Sequence, residues 1–487
     1  MKLFHFHKAR VMKNKEYLIF SISGIRGIFN ETLSIEIARK LAISYGFWLN
    51  GKNKKIVIGR DTRPSGEVLK EVMIETLRFM GCGIHDLGIC ATPLIVYAKK
   101  KLNAEGAIII SGSHNPPEWN GIKFFSSSTL LNNKELEEFY EIYSKLDLED
   151  NKEDYSHHAK DVKKVDIAND YIKELYSNLN MEQIKKSNNL QVALDTGAGA
   201  GRYITPIILR GLGCQVKLLN NNLIENRFPR EIEPIESNLA DLIKTVKNEK
   251  QDIGFAHDCD ADRLTIIGDD GTCYPEDTGL ALIAQNEFKK AHGKGENVIF
   301  VTNLASSLIF DELAEIHGAQ IIRTPVGECN LAKKMDQLIK NNRNKINVFG
   351  GEGSCGGVMF PLFNTTRDGI FAAAKIIEIM IENNEPISHL VSKLPKFHAM
   401  REYIDIGDIN LKRLIEHLSQ NLEQEQGRFE QIERDLRLHE GKEWFVLIHP
   451  SNTEPIIRVI SEAKTERLAK IHLTKIVKLI DTIRKKY

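Results

Sequence analysis

The sequence has no excess of charge of either sign. Lys and Arg together number 66, Asp and Glu together number 66, and the formal net charge over 487 residues is zero. That balance removes the electrostatic case for a nucleic-acid or anionic-membrane partner. Long apolar runs are missing too. The apolar runs, such as the "AIII" of residues 107–110 with its neighbours, fall far short of the roughly 20 residues that a membrane span needs. Cysteine is scarce: Cys82, Cys90, Cys214, Cys259, Cys273, Cys329 and Cys355 are scattered, odd in number and without a CxxC pair. A reducing cytoplasm with most thiols buried as small hydrophobes is the simplest reading. The N-terminus "MKLFHFHKARVMKNKEY" is basic but has no continuous apolar stretch and no small-residue cleavage site. Residues 1–16 read as a loose extension.

What is present is a repeating pattern of short β-branched strand, polar loop and amphipathic helix. "KKIVIGRDTRPSG" leads into "EVLKEVMIETLRFMG", "LQVALDTGAGAG" into "RYITPIILRGLG", and "ENVIFVTNLASS" into "LIFDELAEIHG". Alternating strand and helix predicts α/β architecture with largely parallel strands. Asp61-Thr62 and Asp195-Thr196 follow their strands at the same place, and Thr302-Asn303 is similar, which reads as internal repetition of one domain. Hydrophobic residues make up 42 %, ample for several cores. At roughly 100–200 residues per domain the length predicts three or four domains. The charged stretch 146–164 reads as a linker or surface hairpin, and "VSKLPKFHAM" (391–400) closes the α/β part. Beyond it, strand-like "REYIDI", "FEQIERDLRLHEG", "KEWFVLIHP" and "PIIRVISEA" and two helix-like segments predict a smaller α+β domain. The expected boundaries are 17–164, 165–269, 270–392 and 393–487.

Several loops carry chemistry. In "SGSHNPPEWNG" (111–121) the strand "GAIII" ends in a loop that Pro116 and Pro117 stiffen, presenting Ser113 as a reactive side chain. "DIGFAHDCDADRLTIIGDDG" sets Asp258, Asp260 and Asp262 at alternate positions between apolar strands. Three carboxylates this close repel one another unless a cation neutralises them, and a hard divalent ion such as Mg²⁺ suits oxygen ligands. An EF-hand is excluded because Arg263 and Asp269 stand where Gly and Glu belong. Arg263 adjoins the acidic loop and suits contact with a phosphoryl group. "GEGSCG" (351–356) matches GxGxxG but is followed by extended "GVMFPLF" rather than a helix, so it is no dinucleotide fingerprint. Its Glu352 and Ser354 among close-lying glycines suit sugar hydroxyls instead. "TGAGAGR" (196–202) reads as a tight structural turn. In "GRDTRPSG" (59–66) an ion pair of the arginines with Asp61 is favoured over phosphate binding. In "HPSNTEPIIR" (449–458) Ser451, Asn452, Thr453 and Arg458 offer a phosphate cradle or, more simply, a capping turn. A Ser–His–Asp hydrolase is disfavoured, since Ser113 is not in GxSxG and adjacency to His114 makes no nucleophile–base bond.

Five motifs in order, "SGIRG" (23–27), "SGSHNPPEWNGIKF" (111–124), "DCDADR" (258–263), "GGEGS" (350–354) and "PSNTEP" (450–455), resemble the α-D-phosphohexomutase family over about residues 17–487. The resemblance implies three similar α/β/α sandwich domains with mixed sheets plus a C-terminal α+β domain, with the active site in the central cleft. It implies that Ser113 carries a phosphoryl group and completes a Mg²⁺ site with Asp258, Asp260 and Asp262. His114 orients the loop, and Lys123 and Arg26 assist proton transfer and charge balance. Thr324, Gly327 and Glu328 of "TPVGE" form a substrate-facing turn with Glu352 and Ser354, and His449, Ser451, Asn452, Thr453 and Arg458 hold phosphate. The family's phosphate loop usually begins with Arg before Pro-Ser, where this chain has His449. "GEGSCGG" and "TPVGECN" are similar to the archaeal-type phosphoglucosamine mutase branch. The expectation is a cytoplasmic phosphohexomutase acting on a sugar phosphate, most simply a phosphoglucosamine mutase. The alternatives are a phosphoglucomutase/phosphomannomutase and a non-catalytic sugar-phosphate-binding relative. The sequence is open between monomer and homodimer.

Overall fold

A computed structural model describes residues 18–485, apart from 51–53, 127–128, 148–159, 188, 342–345, 354–355, 408, 426 and 452–455. The expected N-terminal extension and most of the charged stretch 146–164 lie outside the described residues. Chain contacts divide the molecule into two compact units, residues 1–279 with 355–390 and residues 280–354 with 391–487.

The first unit begins with strands β1 (Ile19–Ser21), β2 (Gly24–Ile28), β3 (Lys55–Arg60), β4 (Gly83–Ile89), β5 (Gly106–Ile110), β6 (Trp119–Phe125) and β7 (Val162–Lys164). They form one sheet in the order β1-β2-β6-β5-β3-β4-β7. The middle strands β5, β3 and β4 are parallel, whereas β6 runs antiparallel to both β5 and β2. Every residue of β5 and β6 is buried, which accounts for the unbroken apolar run "GAIII". Helices Ile35–Trp48 and Pro64–Phe79 give Leu41, Leu69, Met73 and Leu77 to the core on one face. Pro64 stands at the first helical turn, where its missing N–H costs nothing, so that helix begins earlier than the apolar periodicity alone suggests.

A second sheet, β8 (Gln191–Asp195), β9 (Gln215–Leu219), β10 (Ile253–Ala256) and β11 (Thr265–Gly268), has the order β11-β10-β8-β9. Only β11 is antiparallel to its neighbour. The division into units passes through the third α/β layer. Strands β12 (Val298–Asn303), β13 (Gln320–Thr324) and β14 (Asn347–Gly351) belong to the second unit and are parallel, with β12 central. The antiparallel hairpin β15 (Val358–Phe360) and β16 (Asn364–Asp368) and helix Gly369–Asn383 belong to the first. The rest of the second unit is a five-stranded antiparallel sheet of β17 (His398–Asp405), β18 (Arg428–Ile432), β19 (Asp435–Glu440), β20 (Trp444–Pro450) and β21 (Ile456–Ala463), in the order β17-β21-β20-β19-β18. Helices Leu411–Leu422 and Glu466–Arg484 cover one face and bury Leu414, Leu418, Ile476 and Ile480 against it. The architecture is thus three α/β/α layers with mixed sheets and a C-terminal α+β domain. Among the described residues no helix is long and apolar enough to cross a membrane.

The three α/β layers share one local device. Asp61 directly follows β3, Asp195 ends β8 and Asn303 ends β12. The Oδ1 of each accepts the N–H two residues ahead, from Arg63 at 2.9 Å, Gly197 at 2.8 Å and Ala305 at 2.9 Å. This side-chain turn stops each strand and turns the chain toward the functional loops.

Candidate active site

The loop after β5 holds Ser113 in the left-handed region, at φ 49°, a conformation that costs a non-glycine residue roughly 1–2 kcal/mol. Several contacts offset that cost. The Ser113 N–H donates to Ser111 Oγ at 2.8 Å, and Ser111 Oγ donates to Asp61 Oδ2 at 2.7 Å. Arg63 donates to the Ser113 carbonyl at 2.8 Å. Ser113 is buried, and its hydroxyl donates to Asp258 Oδ2 at 3.0 Å.

Asp258, Asp260 and Asp262 lie on the turn between β10 and β11, all buried, with one carboxylate oxygen each within 4.8 Å of the others. Their oxygens divide cleanly. Each Oδ2 is engaged: Asp258 by Ser113, Asp260 by Lys123 Nζ at 2.8 Å and Thr92 Oγ1 at 2.6 Å, Asp262 by Arg367 Nη2 at 2.6 Å. Each Oδ1 is buried without a hydrogen-bond partner. Three buried carboxylates, each with an oxygen within 4.8 Å of the others and each with an oxygen left without a hydrogen-bond partner, fit a hard divalent cation of the Mg²⁺ type. Burial, followed by the charges of Asp260 and Asp262, pushes the Asp258 carboxyl well above the usual range. Burial opposes ionisation of Asp260 as well, but the Lys123 ammonium and the Thr92 hydroxyl outweigh it and hold that carboxyl below the usual value.

The glycine-rich "TGAGAGR" loop supports this turn. It forms a 3-10 turn at Ala200–Tyr203, and the Ala200 N–H donates to Cys259 O at 2.8 Å. A Cβ on Gly199 would meet Cys259 O at 2.6 Å, so glycine is required by close backbone approach. In "GRDTRPSG", Arg63 pairs with Asp61 at 3.2 Å and Arg60 pairs with Glu67; for Arg63 this is the ion pair the sequence favours.

Cationic groups surround Ser113. Arg263 Nη2 donates to His114 Nδ1 at 2.9 Å, and Arg263 Nε lies 3.8 Å from Asp258 Oδ2. The Arg263 charge, then burial, holds His114 well below the ordinary imidazole value, so its neutral ring accepts from the guanidinium. Arg26 in β2 donates to Asn115 Oδ1 at 2.9 Å. Burial, helped by the charge of Arg263, lowers the Arg26 pKa to about 10. Lys123 lies on β6, and its Nζ is also 3.8 Å from Asp262.

In the second unit the buried Glu352 carboxylate accepts from Asn303 Nδ2 at 3.0 Å and from the Gly327 N–H at 3.1 Å. Thr324 ends β13 and donates to Pro325 O at 3.1 Å, and Glu328 opens helix Glu328–Asn341. Three separate segments, "TNLASS", "TPVGE" and "GGEG", thereby meet in one turn cluster. Ser354 lies outside the described residues. On the antiparallel sheet His449 and Arg458 are direct cross-strand partners on β20 and β21. His449 Nδ1 lies 2.6 Å from Asp435 Oδ1, and the N–H of the buried Ser451 donates to Ile456 O at 2.9 Å. Asn452 and Thr453 lie outside the described residues. The sequence reading missed Thr92, Arg367, Asn303 and Asp435. Thr92, Arg367 and Asn303 reach partners 168, 105 and 49 residues away, whereas Asp435 meets His449 within one hairpin, 14 residues apart; the Thr92-Pro93 helix start and the strand-ending Thr302-Asn303 are the local signals.

A buried serine aimed at an acidic turn with three close-lying carboxylates, and guanidinium groups nearby, has the make-up that metal-assisted phosphoryl transfer requires. The comparisons carry this to a family. Residues 18–150, 169–271 and 275–397 match the phosphoglucomutase/phosphomannomutase alpha/beta/alpha domains I, II and III. A relative from Thermococcus kodakarensis named "Phosphoglucomutase/phosphomannomutase" is 35% identical over 475 residues, covering 95% of this chain and 98% of its own. A second from the same organism, named "Probable phosphoglucosamine mutase", is 36% identical over 462 residues, covering 95% of this chain and 98% of its own. A solved phosphoglucomutase/phosphomannomutase family protein from Burkholderia thailandensis shares the fold at a TM-score of 0.80 and 22% identity, covering 97% of this chain and 98% of that one. The chain belongs to the α-D-phosphohexomutase family, in its archaeal phosphoglucosamine mutase/phosphomannomutase branch. It is a phosphohexomutase, an isomerase.

Proposed function

We propose that the enzyme interconverts the 6-phosphate and 1-phosphate of a hexosamine or hexose, with Ser113 as phosphoryl carrier, a sugar bisphosphate as intermediate and glucosamine phosphate as the preferred substrate. The observation that carries this reading is the Ser113 hydroxyl 3.0 Å from Asp258 Oδ2, beside three buried Oδ1 atoms without partners. In the working enzyme Ser113 Oγ bears the phosphoryl group. A sugar hydroxyl oxygen attacks phosphorus, the P–Oγ bond breaks, the new P–O bond to the sugar forms, and the hydroxyl proton leaves. The bisphosphate turns over and returns its other phosphoryl group to Ser113, and the vacated sugar oxygen regains a proton. Lys123, held 2.8 Å from Asp260, and Arg26 serve proton transfer and charge balance. His114 fixes the Arg263 guanidinium, which faces the transferring group. A Mg²⁺ ion held by Asp258, Asp260, Asp262 and an oxygen on Ser113 would neutralise charge on that group as a Lewis acid.

Glu352 and Ser354, with Thr324, Gly327 and Glu328, bind the sugar, and Glu352 is already oriented by Asn303. His449, Ser451, Asn452, Thr453 and Arg458 hold the phosphate that is not reacting. Glucosamine is favoured by the "GEGSCGG" and "TPVGECN" loops. The relative named phosphoglucomutase/phosphomannomutase, nearly as similar, supports glucose or mannose phosphate as the second reading. A coupled assay of the purified protein with glucosamine, glucose and mannose phosphates decides. The proposal expects the highest kcat/KM on glucosamine 6-phosphate. A higher value for mannose or glucose phosphate moves the assignment to the second reading, and no interconversion of any of them sinks both.

A further inference from the structure

We infer that Arg63 is the positioning residue of the nucleophile loop, a guanidinium brace that holds Ser113 in its left-handed conformation with Oγ on Asp258. The inference rests on the reading of Ser113 as phosphoryl carrier. Arg63 has a fully buried side chain. A guanidinium has five N–H donors in a fixed fork, and here all five are spent. Nε donates to Asp61 Oδ2 at 3.2 Å. Nη1 donates to the carbonyls of Pro116 at 2.6 Å and Trp119 at 2.9 Å, and Nη2 to those of Ser113 at 2.8 Å and Asn115 at 2.6 Å. Four carbonyls of a seven-residue span, 113–119, therefore converge on one side chain.

The loop needs such an anchor. Pro116 and Pro117 have no N–H to donate. Within 112–119 the backbone bonds of the loop to itself are Asn115 N–H to Gly112 O at 3.0 Å and Trp119 N–H to Pro116 O at 3.1 Å. Asp61 connects the brace to the nucleophile from the other side, since the oxygen that receives Arg63 Nε also receives Ser111 Oγ, whose oxygen accepts the Ser113 N–H. Gly112 completes the fit. A Cβ there would stand 2.6 Å from Arg63 Cζ and 2.8 Å from Nε, so even alanine at 112 would push the guanidinium off its carbonyls. Lysine cannot replace the brace, because an ammonium has three donors and no planar fork.

Two independent measurements on Arg63→Lys and Gly112→Ala test this. Hydrogen–deuterium exchange over residues 111–119 reads the brace without reference to the reaction. Exchange there rises about tenfold or more in both variants while the strands of the second unit keep wild-type protection. Steady-state kinetics with Mg²⁺ and the best sugar phosphate reads the positioning. Because a displacement of about 1 Å can cost on the order of 10²-fold in rate, kcat falls by about that factor while KM changes less than about threefold. Unchanged exchange in Arg63→Lys, or faster exchange with kcat kept within about threefold, overturns the inference. A raised KM with kcat preserved overturns it as well. If wild-type protein interconverts no sugar phosphate, the functional reading fails, while the exchange arm still decides whether Arg63 braces the loop.

Discussion

Arg367 donates through Nη2 to Oδ2 of Asp262 at 2.6 Å, with the carboxylate fully buried and the guanidinium nearly so. That contact engages Oδ2 and leaves Asp262 Oδ1 buried without a hydrogen-bond partner. Removing one partner of a buried ion pair costs about 3–5 kcal/mol because it strands the other charge. Arg367→Met therefore lowers the unfolding temperature in EDTA, and Mg²⁺, which neutralises the stranded carboxylate, recovers much of the loss. Thermal unfolding with and without Mg²⁺ checks this; an equal drop in both conditions would show that Arg367 does not compensate the acidic cluster.

Ser113→Ala removes the oxygen proposed to carry the phosphoryl group. Intact-mass measurement of active wild-type protein shows a phosphoryl adduct on Ser113, absent in the variant together with turnover. Wild-type activity in Ser113→Ala would refute the carrier role.

Asp260→Asn keeps shape but loses the charge that holds Lys123 at 2.8 Å and Thr92 at 2.6 Å. Metal affinity falls by at least the roughly 10–100-fold that loss of a ligand's supporting partner costs, and kcat at saturating Mg²⁺ falls far more than KM rises, because the lost charge acts mainly in the transition state. Calorimetric titration with Mg²⁺ and steady-state kinetics measure the two effects. An unchanged kcat with only KM raised contradicts the assignment.

Much of this site is legible in the sequence because its chemistry is written in short contiguous motifs. The alternate aspartates 258, 260 and 262 need only the turn between two strands to converge, and the prolines after Ser113 announce a stiff loop. The failure of "GEGSCG" as a dinucleotide fingerprint is legible too, since the chain beyond it is extended as β15. The supporting cast is not. Arg367 lies 105 residues from Asp262, and Thr92 lies 168 from Asp260. Such pairings follow from tertiary packing, for which no local spacing exists. Asn303 sits between these cases. It repeats the strand-ending turn of Asp61 and Asp195, which the sequence hints at, but its second task of holding Glu352 depends on a loop 49 residues away.

Asp368 sets a pH dependence of stability. Its carboxylate is buried and accepts from Tyr171 Oη at 2.6 Å, Asn364 Nδ2 at 3.2 Å and the Phe371 N–H at 2.8 Å, yet burial prevails and pushes its pKa up to about 6. A folded-state pKa above the unfolded one means that the folded form binds the proton more tightly. The resulting stability is fully present below about pH 4 and is lost as pH rises through about 6, on the order of 3 kcal/mol in all. Asp368→Asn cannot titrate. The stability difference between wild type and Asp368→Asn, from urea unfolding between pH 4.5 and pH 7.5, therefore shifts in favour of the variant as pH rises. A difference independent of pH would show that Asp368 does not titrate there.

His449 stands where the family's phosphate loop usually has arginine, and Asp435 Oδ1 lies 2.6 Å from its Nδ1. The Asp435 carboxylate engages Nδ1, and imidazole offers an N–H at both nitrogens only when protonated. Arginine needs no such support, since its guanidinium stays charged and presents a rigid fork. If the pair serves the phosphate, Asp435→Asn and His449→Ala both raise KM, each by about ten- to hundredfold for a lost charge-assisted bond of roughly 1.5–3 kcal/mol, with kcat little changed. The double variant is no worse than His449→Ala, because Asp435 acts only through the ring. His449→Arg restores KM in the Asp435→Asn background, because a guanidinium keeps its charge and its fork without a supporting carboxylate. Steady-state kinetics at pH 6 and pH 8 separate this from simple packing: KM values equal to wild type in His449→Ala at both pH values mean that Arg458 and the Ser451 turn hold the phosphate without it.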